Sequence, residues 1–164
     1  MASSPDGFST RPATAHDVPA LAALYAHCAT QLGPAVYSAE QVAAWAGFGT
    51  DSAEFRAYVL DADTWVLQAS GTTTPLGFCG VGGDAALGEV HSLYVHPDWT
   101  RQGLGTRLLK DALARARQRG TLRLAAWVTP LSRPLFLRQG FRLVDTVQAP
   151  YQGVMFERYR VSYP

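Results

Sequence analysis

Two glycines, Gly103 and Gly105, stand one residue apart where a strand-like apolar segment has ended and a long helical pattern begins. The first turn of a helix presents backbone N–H groups without helical partners and a partial charge of roughly +0.5, which together favour a bound anion. Glycines at this point lack the Cβ atoms that would hold an anion away from the backbone. The pattern therefore predicts an anion-binding loop, with phosphate groups as its natural ligand.

Two familiar phosphate-binding loops do not fit this stretch. A Walker loop needs Gly-Lys-Ser/Thr, whereas Gly105 is followed by Thr106 and Arg107. A dinucleotide fingerprint needs a third glycine three residues further on, and Leu108 stands there. A Gly-x-Gly pair is also compatible with an ordinary tight turn, so its surroundings have to decide between a turn and a binding loop.

The helix that follows the loop predicts how the loop is positioned. It should run from Gly103 to Arg119, and its apolar residues fall on one half of the helical wheel, the half that packs on a sheet: Leu108, Leu109, Ala112, Leu113 and Ala116. The helix joins the strand "GEVHSLYV" to the strand "LRLAAWV", and such a connection normally makes two strands parallel. Its N-terminus then lies at the C-terminal end of a strand, where open α/β sheets bind ligands.

The remaining pattern predicts a single α/β (α+β) domain. A strand, "GFSTRPAT", precedes a helix over roughly residues 16–29 that a capping box of Thr14 and Asp17 opens, and shorter helices follow Ser38 and Asp51. "TWVLQA", "PLGFCGVGG" and "GEVHSLYV" are typical of an antiparallel meander, and "FRLVDTV" and "GVMFERYRV" are the last strands. We expect a mixed sheet with helices on both faces over residues 8–164, after a flexible N-terminal segment of residues 1–7.

Composition excludes several classes of function. The chain has 164 residues, 48% of them apolar and 16% charged, which is typical of one soluble globular domain. No apolar run approaches the ~20 residues of a membrane span, and a net charge of +1 argues against a nucleic-acid-binding surface. Cys28 and Cys79 stand far apart without CxxC spacing, which favours reduced thiols in a cytoplasmic protein over a disulfide or a metal site.

The residues around the glycine pair decide between a turn and a binding loop. "LYVHPDWTRQGLGTRLL" resembles the acetyl-CoA loop of the GNAT superfamily of N-acetyltransferases, whose pattern is Gln/Arg-x-x-Gly-x-Gly/Ala. Thr100 stands where the family usually has Gln or Arg, and Arg101 follows it. "LFLRQGF" matches the family segment that ends in Gly-Phe, and the resemblance covers nearly the whole chain. It implies the GNAT fold, a mostly antiparallel mixed sheet that contains one splayed parallel pair of strands.

The resemblance also implies acetyl-CoA as the co-substrate and no metal. The pantetheine arm would lie between the two parallel strands and bond to the backbone of Leu93, Tyr94 and Val95. The positions that would hold the diphosphate are consecutive: Gln102, Gly103, Leu104, Gly105 and Thr106. Arg101 would contact a phosphate of CoA as a charge-assisted donor.

Two residues of one strand are candidates for the catalytic base. Glu89 lies fourteen residues before Gly103, the spacing at which some family members carry a catalytic glutamate. His91 is the second candidate, because a neutral imidazole is a competent base near pH 7. Strict alternation would place four residues of this strand on one face: Glu89, His91, Leu93 and Val95.

The general acid of the family has no counterpart here. Phe136 stands where the family often has Tyr, and Thr129 stands where it has Asn, both beside the expected cofactor. Phe136 cannot donate a proton, so the role would fall to Tyr151, Ser132 or water, or remain unfilled because a thiol is a fair leaving group. Four aromatic residues are candidates for lining the acceptor pocket: Tyr25, Tyr37, Trp45 and Tyr151. Ordinary core packing is the alternative, and it fits Trp45 at helical spacing from Val42 at least as well.

The resemblance therefore implies an N-acetyltransferase that moves an acetyl group from acetyl-CoA to a primary amine of a small molecule or peptide. The amine would attack directly in a ternary complex. A non-catalytic acyl-CoA-binding or regulatory module of the same fold is the alternative, and the missing Tyr and Asn give it weight. Neither a nucleic acid nor a membrane is an expected partner, and a homodimer is compatible with the sequence.

Overall fold

The computed structural model of the protein describes residues 7–164, so the N-terminal segment predicted to be flexible lies, apart from Gly7, outside the described residues. The helices of the described part have these bounds: α1 Val18–Leu32, α2 Ala39–Gly47, α3 Ala53–Leu60, α4 Leu104–Gln118 and α5 Arg133–Arg138. The strands have these: β1 Phe8–Pro12, β2 Asp63–Ala69, β3 Pro75–Gly83, β4 Gly88–Val95, β5 Leu124–Val128, β6 Arg142–Tyr151 and β7 Val154–Tyr163.

The seven strands form one mixed sheet in the order β1-β2-β3-β4-β5-β7-β6. Every neighbouring pair is antiparallel except β4 and β5, which are parallel. Helix α4 makes the connection between these two strands, as its position in the chain predicted. The expected α/β architecture with one parallel pair is confirmed.

Apolar side chains bury both faces of the sheet. On one face α4 places Leu108, Leu109 and Ala112 in a core that includes Val161 of β7. On the other face α1 and α3 close a second core through residues such as Leu21 and Phe55, with Phe78 of β3 beneath them. The helix face that its spacing marked as apolar is thus the face that packs on the sheet.

Local capping signals fixed the helix starts better than the helix ends. The Thr14–Asp17 capping box is present, with the Thr14 N–H donating to Asp17 Oδ2 at 2.8 Å. Ser38 opens α2 with a reciprocal box, in which the Gln41 N–H donates to Ser38 Oγ at 3.2 Å. Helix α1 continues to Leu32, three residues beyond the predicted end, and stops where Gly33 and Pro34 begin the next turn.

Asp17 anchors the start of α1 to β1. Its side chain is 6% exposed and accepts two hydrogen bonds from the Arg11 guanidinium, at 2.7 and 2.8 Å. These bonds lower the pKa of the Asp17 carboxyl below its ordinary value. A carboxyl whose pKa is lowered by folding stabilises the fold at all pH values above its unfolded pKa of about 3.9, and the stabilisation disappears as the pH falls through the lower folded value.

We expect Asp17→Asn to lower the free energy of unfolding by about 2–3 kcal/mol at pH 7, because hydrogen bonds to a charged group contribute about that much. Urea unfolding measures it, and the difference from the parent should shrink as both are titrated below pH 3. Asp51→Asn is the control, since Asp51 is exposed and lies 3.9 Å from Arg56; it should cost less than about 1 kcal/mol. Equal costs for the two variants would contradict the assignment.

Candidate active site

The parallel strands β4 and β5 separate almost as soon as they meet. Within residues 7–164 they pair at only two positions, Gly88 with Leu124 and Glu89 with Ala125. Beyond Glu89 a cavity of about 490 Å³ lies between them, lined by β4, β5, the loop before α4, and α5. The edge of β4 that faces β5 therefore leaves its backbone groups free of a strand partner over the length of the cavity.

A bulge in β4 decides which side chains reach this cavity. The register between β3 and β4 shifts so that Gly80 lies opposite Ser92 and Val81 opposite Val90, which leaves His91 as the extra residue. A bulge of this kind bends the strand and increases its twist, which helps to turn β4 away from β5.

The bulge also corrects the predicted side-chain alternation. Leu93 and Val95 pack in the core beneath α4, as Val90 does. Glu89 lies on the opposite face, where its Oε1 is 2.5 Å from Nη1 of Arg160. The predicted common face for Glu89, Leu93 and Val95 is therefore wrong, because the extra residue shifts the alternation by one position.

His91 lies at the cavity and Glu89 does not. His91 is exposed and is one of the residues that line the cavity, and its ring lies over Gly82 of β3. The Glu89 carboxylate accepts a hydrogen bond from Arg160, and Glu89 is not among the described residues that line the cavity. Of the two candidate bases, the structure places only His91 where an acceptor in the cavity could reach it.

The loop before α4 has the backbone shape that an anion site needs. Arg101 and Gly103 both adopt left-handed backbone conformations, at φ 63° and 79°, and Gly103 caps α4 without a side-chain hydrogen bond to the helix. Alternating conformations of this kind turn successive N–H groups towards one point. Of the residues predicted to contact the co-substrate's phosphates, Arg101, Gly103, Leu104, Gly105 and Thr106 line the cavity, whereas Gln102 is exposed and does not.

The space beside Gly105 is limited by another helix as well as by the expected anion. A Cβ at Gly105 would lie 3.1 Å from Leu135 Cδ1 and 3.8 Å from Val95 Cγ2. All three residues line the cavity. A side chain at position 105 would thus occupy the narrow part of the cavity between α4 and α5, whereas a Cβ at Gly103 would meet nothing within 4 Å.

Thr129, the residue after β5, and Phe136 of α5 line the cavity at the two positions where the family often has Asn and Tyr. The Thr129 hydroxyl accepts hydrogen bonds from the backbone N–H groups of Leu131 and Ser132, at 3.2 Å each, and so holds the turn before α5. Phe136 is 3% exposed and packs edge-on against Phe141. Ser132 lines the cavity too, whereas Tyr151 lies outside the described lining.

The aromatic residues that were predicted to line the acceptor pocket fall into two groups. Trp45 lines the cavity, and its Nε1 donates to the Tyr94 hydroxyl at 3.3 Å. Tyr37 and Tyr151 lie beside the cavity, where both contact the ring of Phe156 on β7. Burial raises the pKa of Tyr37 to about 12, so its hydroxyl stays protonated at neutral pH.

Residues that the sequence did not single out hold β4 in place from three helices. Cys28 of α1 donates to the Val95 carbonyl at 3.3 Å, and Tyr58 of α3 donates to the His91 carbonyl at 2.9 Å. Burial raises the pKa of the Cys28 thiol to about 12, so it is a neutral donor. With Trp45 of α2, each helix on this side of the sheet bonds to a residue of the bulged strand, and no local signal in the sequence reveals these long-range pairs.

Neither a metal site nor a membrane span is found within residues 7–164. No group of three or more His, Cys, Asp or Glu side chains in this range is placed to hold a metal ion. None of its helices is both long and apolar enough to cross a bilayer.

The profile of the acetyltransferase (GNAT) family matches residues 20–141. The chain belongs to this family. Among relatives, the uncharacterized N-acetyltransferase YafP of Escherichia coli is 26% identical over 90% of this chain and 89% of its own length. A GCN5-related N-acetyltransferase from Rhodopseudomonas palustris superposes with a TM-score of 0.86, at 26% identity over 99% of this chain and 97% of that one.

A second solved structure of similar fold contains coenzyme A. PaiA N-acetyltransferase from Thermoplasma acidophilum, solved in complex with coenzyme A, superposes with a TM-score of 0.78 at 18% identity, over 94% of this chain and 97% of that one. The expected family and fold are confirmed, and the chain is an acetyl-CoA-dependent acyltransferase.

Gly105→Val should weaken the binding of CoA about tenfold or more while α4 persists, because overpacking a close contact costs about 1–3 kcal/mol. Titration calorimetry with CoA measures the affinity, and circular dichroism checks the fold. Gly47→Val is the matched control: Gly47 lies in α2 and a Cβ there meets nothing within 4 Å. Undiminished affinity in Gly105→Val would remove the loop from the CoA site.

Proposed function

We propose that the chain is an N-acetyltransferase that transfers the acetyl group of acetyl-CoA to a primary amine of a small molecule or peptide, by direct attack in a ternary complex. One observation carries the proposal: a single cavity is lined both by the glycine loop before α4 and by His91 at the bulge of β4. A phosphate-bearing co-substrate and an acceptor amine can therefore meet in one place. Membership in an acetyltransferase family favours the enzyme over the non-catalytic module.

The residues of the cavity fit acetyl-CoA. The left-handed loop and the first turn of α4 offer backbone N–H groups to the diphosphate, and Arg101 adds a positive charge beside them. The free edge of β4 offers backbone groups of Leu93, Tyr94 and Val95 to an extended arm that would bond as an extra strand does. When bound, acetyl-CoA supplies an acetyl group activated as a thioester.

The acceptor amine has to lose its proton before it can attack. A free alkyl amine has a pKa near ~10.4, so at neutral pH it needs a base within reach, directly or through one water. We assign this role to His91, because this exposed residue lines the cavity whereas the Glu89 carboxylate is bound to Arg160. Glu89 is then a positioning residue that holds Arg160 across β5.

Negative charge that develops on the carbonyl oxygen needs a hydrogen-bond donor. Backbone N–H groups on the free edge of β4 meet this need, since the strand pairing that would occupy them stops at Glu89. Phe136 contributes only an apolar wall, so the departing thiolate has no side-chain acid at that position. Ser132, which lines the cavity, and water are the remaining proton donors.

The free cysteines support a reducing compartment for this activity. Cys28 and Cys79 are both buried and unpaired, and unpaired thiols are the rule in the cytoplasm. We infer a cytoplasmic location on this ground.

The direct test is a panel of primary amines offered to the purified protein with acetyl-CoA, with released CoA detected by a thiol reagent. The two cysteines of the chain are at most 1% exposed and should not react with the reagent while the protein is folded. We expect CoA release that depends on the amine, with the acetylated amine found by mass spectrometry. CoA release without any acetylated product, across the whole panel, would overturn the proposal.

The two candidate bases are separated by His91→Gln and Glu89→Gln. We expect His91→Gln to lower kcat by about 10²–10⁴-fold, the usual cost of losing general-base catalysis, with the KM for acetyl-CoA little changed. Its rate should continue to rise with pH towards the pKa of the free amine, because only amine already deprotonated can react. Glu89→Gln retains an acceptor for Arg160 and should lose less than about tenfold. A larger loss in Glu89→Gln than in His91→Gln would give the role to the glutamate.

A further inference from the structure

The face of the sheet opposite α4 carries two arginines that share one aromatic ring. Arg158 and Arg160 of β7 place their guanidinium carbons 4.6 Å and 5.1 Å from the ring centroid of Trp127 on β5. Trp127 is itself part of the cavity wall. The arginines therefore lie beside the acceptor side of the site rather than on a remote surface.

The two arginines differ in whether their N–H donors are already bonded to a carboxylate. Nη1 of Arg160 bonds to Glu89 at 2.5 Å, so its charge is balanced by a carboxylate. Within the described residues Arg158 has neither an ion pair nor a side-chain hydrogen bond, and its guanidinium stacks on the ring of Trp127. Stacking uses the face of a guanidinium and leaves the N–H groups in its plane free for a bidentate carboxylate.

The acidic residues near Arg158 are turned elsewhere. Glu157, its neighbour on β7, accepts hydrogen bonds from Tyr159 and Gln148 on the opposite face. Asp145 of β6 lies opposite Arg160 in the register, and its Oδ1 accepts from the backbone N–H of Thr146 at 2.8 Å. The neighbours of Arg158 on its own face include the aromatic residues Tyr37 and Tyr151, and the positive charge of Arg158 acts to lower the pKa of both hydroxyls.

Register brings Arg158 to the level of the open part of the cavity. Val128 lies opposite Tyr159, so Arg158 is level with the residue after β5, Thr129, which lines the cavity. His91 lines the same cavity from β4. Trp127 lines the cavity, and Arg158, which is not itself one of the lining residues, lies against the Trp127 ring and brings a positive charge to this side of the cavity.

We propose that Arg158, stacked on Trp127, binds a carboxylate of the acceptor, so that the preferred substrates are amines that carry a carboxylate on the same molecule, as amino acids do. This inference rests on the proposed N-acetyltransferase function and names its substrate class. Trp127 fixes the plane of the guanidinium, and the Glu89–Arg160 pair removes the competing arginine. The amine of such an acceptor lies towards His91, and its carboxylate lies on Arg158.

The test compares amines that differ only in the carboxylate: alanine with ethylamine, phenylalanine with phenethylamine, and lysine with cadaverine. The readout is the ratio of kcat/KM for the acid to kcat/KM for the matching amine, in the parent and in Arg158→Gln. A carboxylate also changes the pKa of the neighbouring amine, and that effect cancels when the two ratios are compared. We expect a parent that favours the acids and a ratio about 10–100-fold lower in Arg158→Gln, the range for a lost charge-assisted hydrogen bond.

Two further variants define the interaction. Arg158→Lys retains the charge without the planar fork and should restore only part of the ratio. Arg142→Gln is the matched control, because Arg142 is exposed at the start of β6, and it should keep the parent ratio and rate. Binding is measured separately by calorimetry with N-acetylphenylalanine and N-acetylphenethylamine, which need no turnover; the acid should bind more tightly, and Arg158→Gln should remove the difference.

The outcomes separate this inference from the proposed function. A parent that acetylates plain amines as well as or better than the acids, or a ratio unchanged in Arg158→Gln, would overturn the carboxylate site and leave the N-acetyltransferase standing. If no amine of either kind is acetylated, the proposed function fails. In that case equal binding of the two N-acetyl compounds would overturn the carboxylate site as well.

Discussion

The separation of two parallel strands is the constraint on which the site depends. A strand inside a sheet normally satisfies its backbone groups on both edges, and buried unpaired N–H and C=O groups are costly. Here β4 is paired to β3 along its length but to β5 at only two positions within the described residues. Side chains of Cys28 and Tyr58 donate to two carbonyls of β4, those of Val95 and His91. The other backbone groups along the open edge have no strand partner in β5 and are available to water or to a ligand in the cavity.

The remaining structure keeps that opening at a fixed width. Helix α4 fills the space under β4 with leucines, and its N-terminus and α5 close one end of the cavity. On the other face α1, α2 and α3 each reach β4 through one hydrogen bond, from Cys28, Trp45 and Tyr58. Because these helices are held by their own apolar core, the bulged strand cannot move back towards β5 without breaking contacts on both faces.

How much the sequence predicted depends on how local each feature is. The capping boxes of Thr14 and Ser38 and the glycine loop are encoded within a few residues, and they were found where predicted. The parallel pair followed from connectivity alone. The single bulge in β4 depends on the register with β3, a partner that local patterns do not specify. Because the bulge was not predicted, Leu93 and Val95 were expected on the same face as Glu89, and they lie on the opposite one.

The same reason explains two contacts that the sequence did not reveal. Glu89 is paired with a residue 71 positions away in the chain, and nothing near Glu89 in the sequence indicates Arg160. Gly105 lines the cavity, and its closeness to Leu135, which comes from another helix, could be seen only in the fold. The departures from the family pattern at Thr129 and Phe136 were visible in the sequence. Their consequences could be seen only in the fold: Thr129 holds a turn through its hydroxyl, and Phe136 forms an apolar wall.

The residues of strand β7 that face the acceptor side and those that pack in the hydrophobic core lie on opposite faces of the strand. Phe156, Arg158 and Arg160 alternate towards the acceptor side, whereas Tyr159 and Val161 pack beneath α4. Phe156 is itself buried, whereas Arg158 is only half-buried. Under our proposal for Arg158, a substitution at that one position would alter which amines the enzyme prefers without opening a gap in the hydrophobic core, while a one-residue insertion in β7 would exchange the two faces and disrupt acceptor contact and core packing at once.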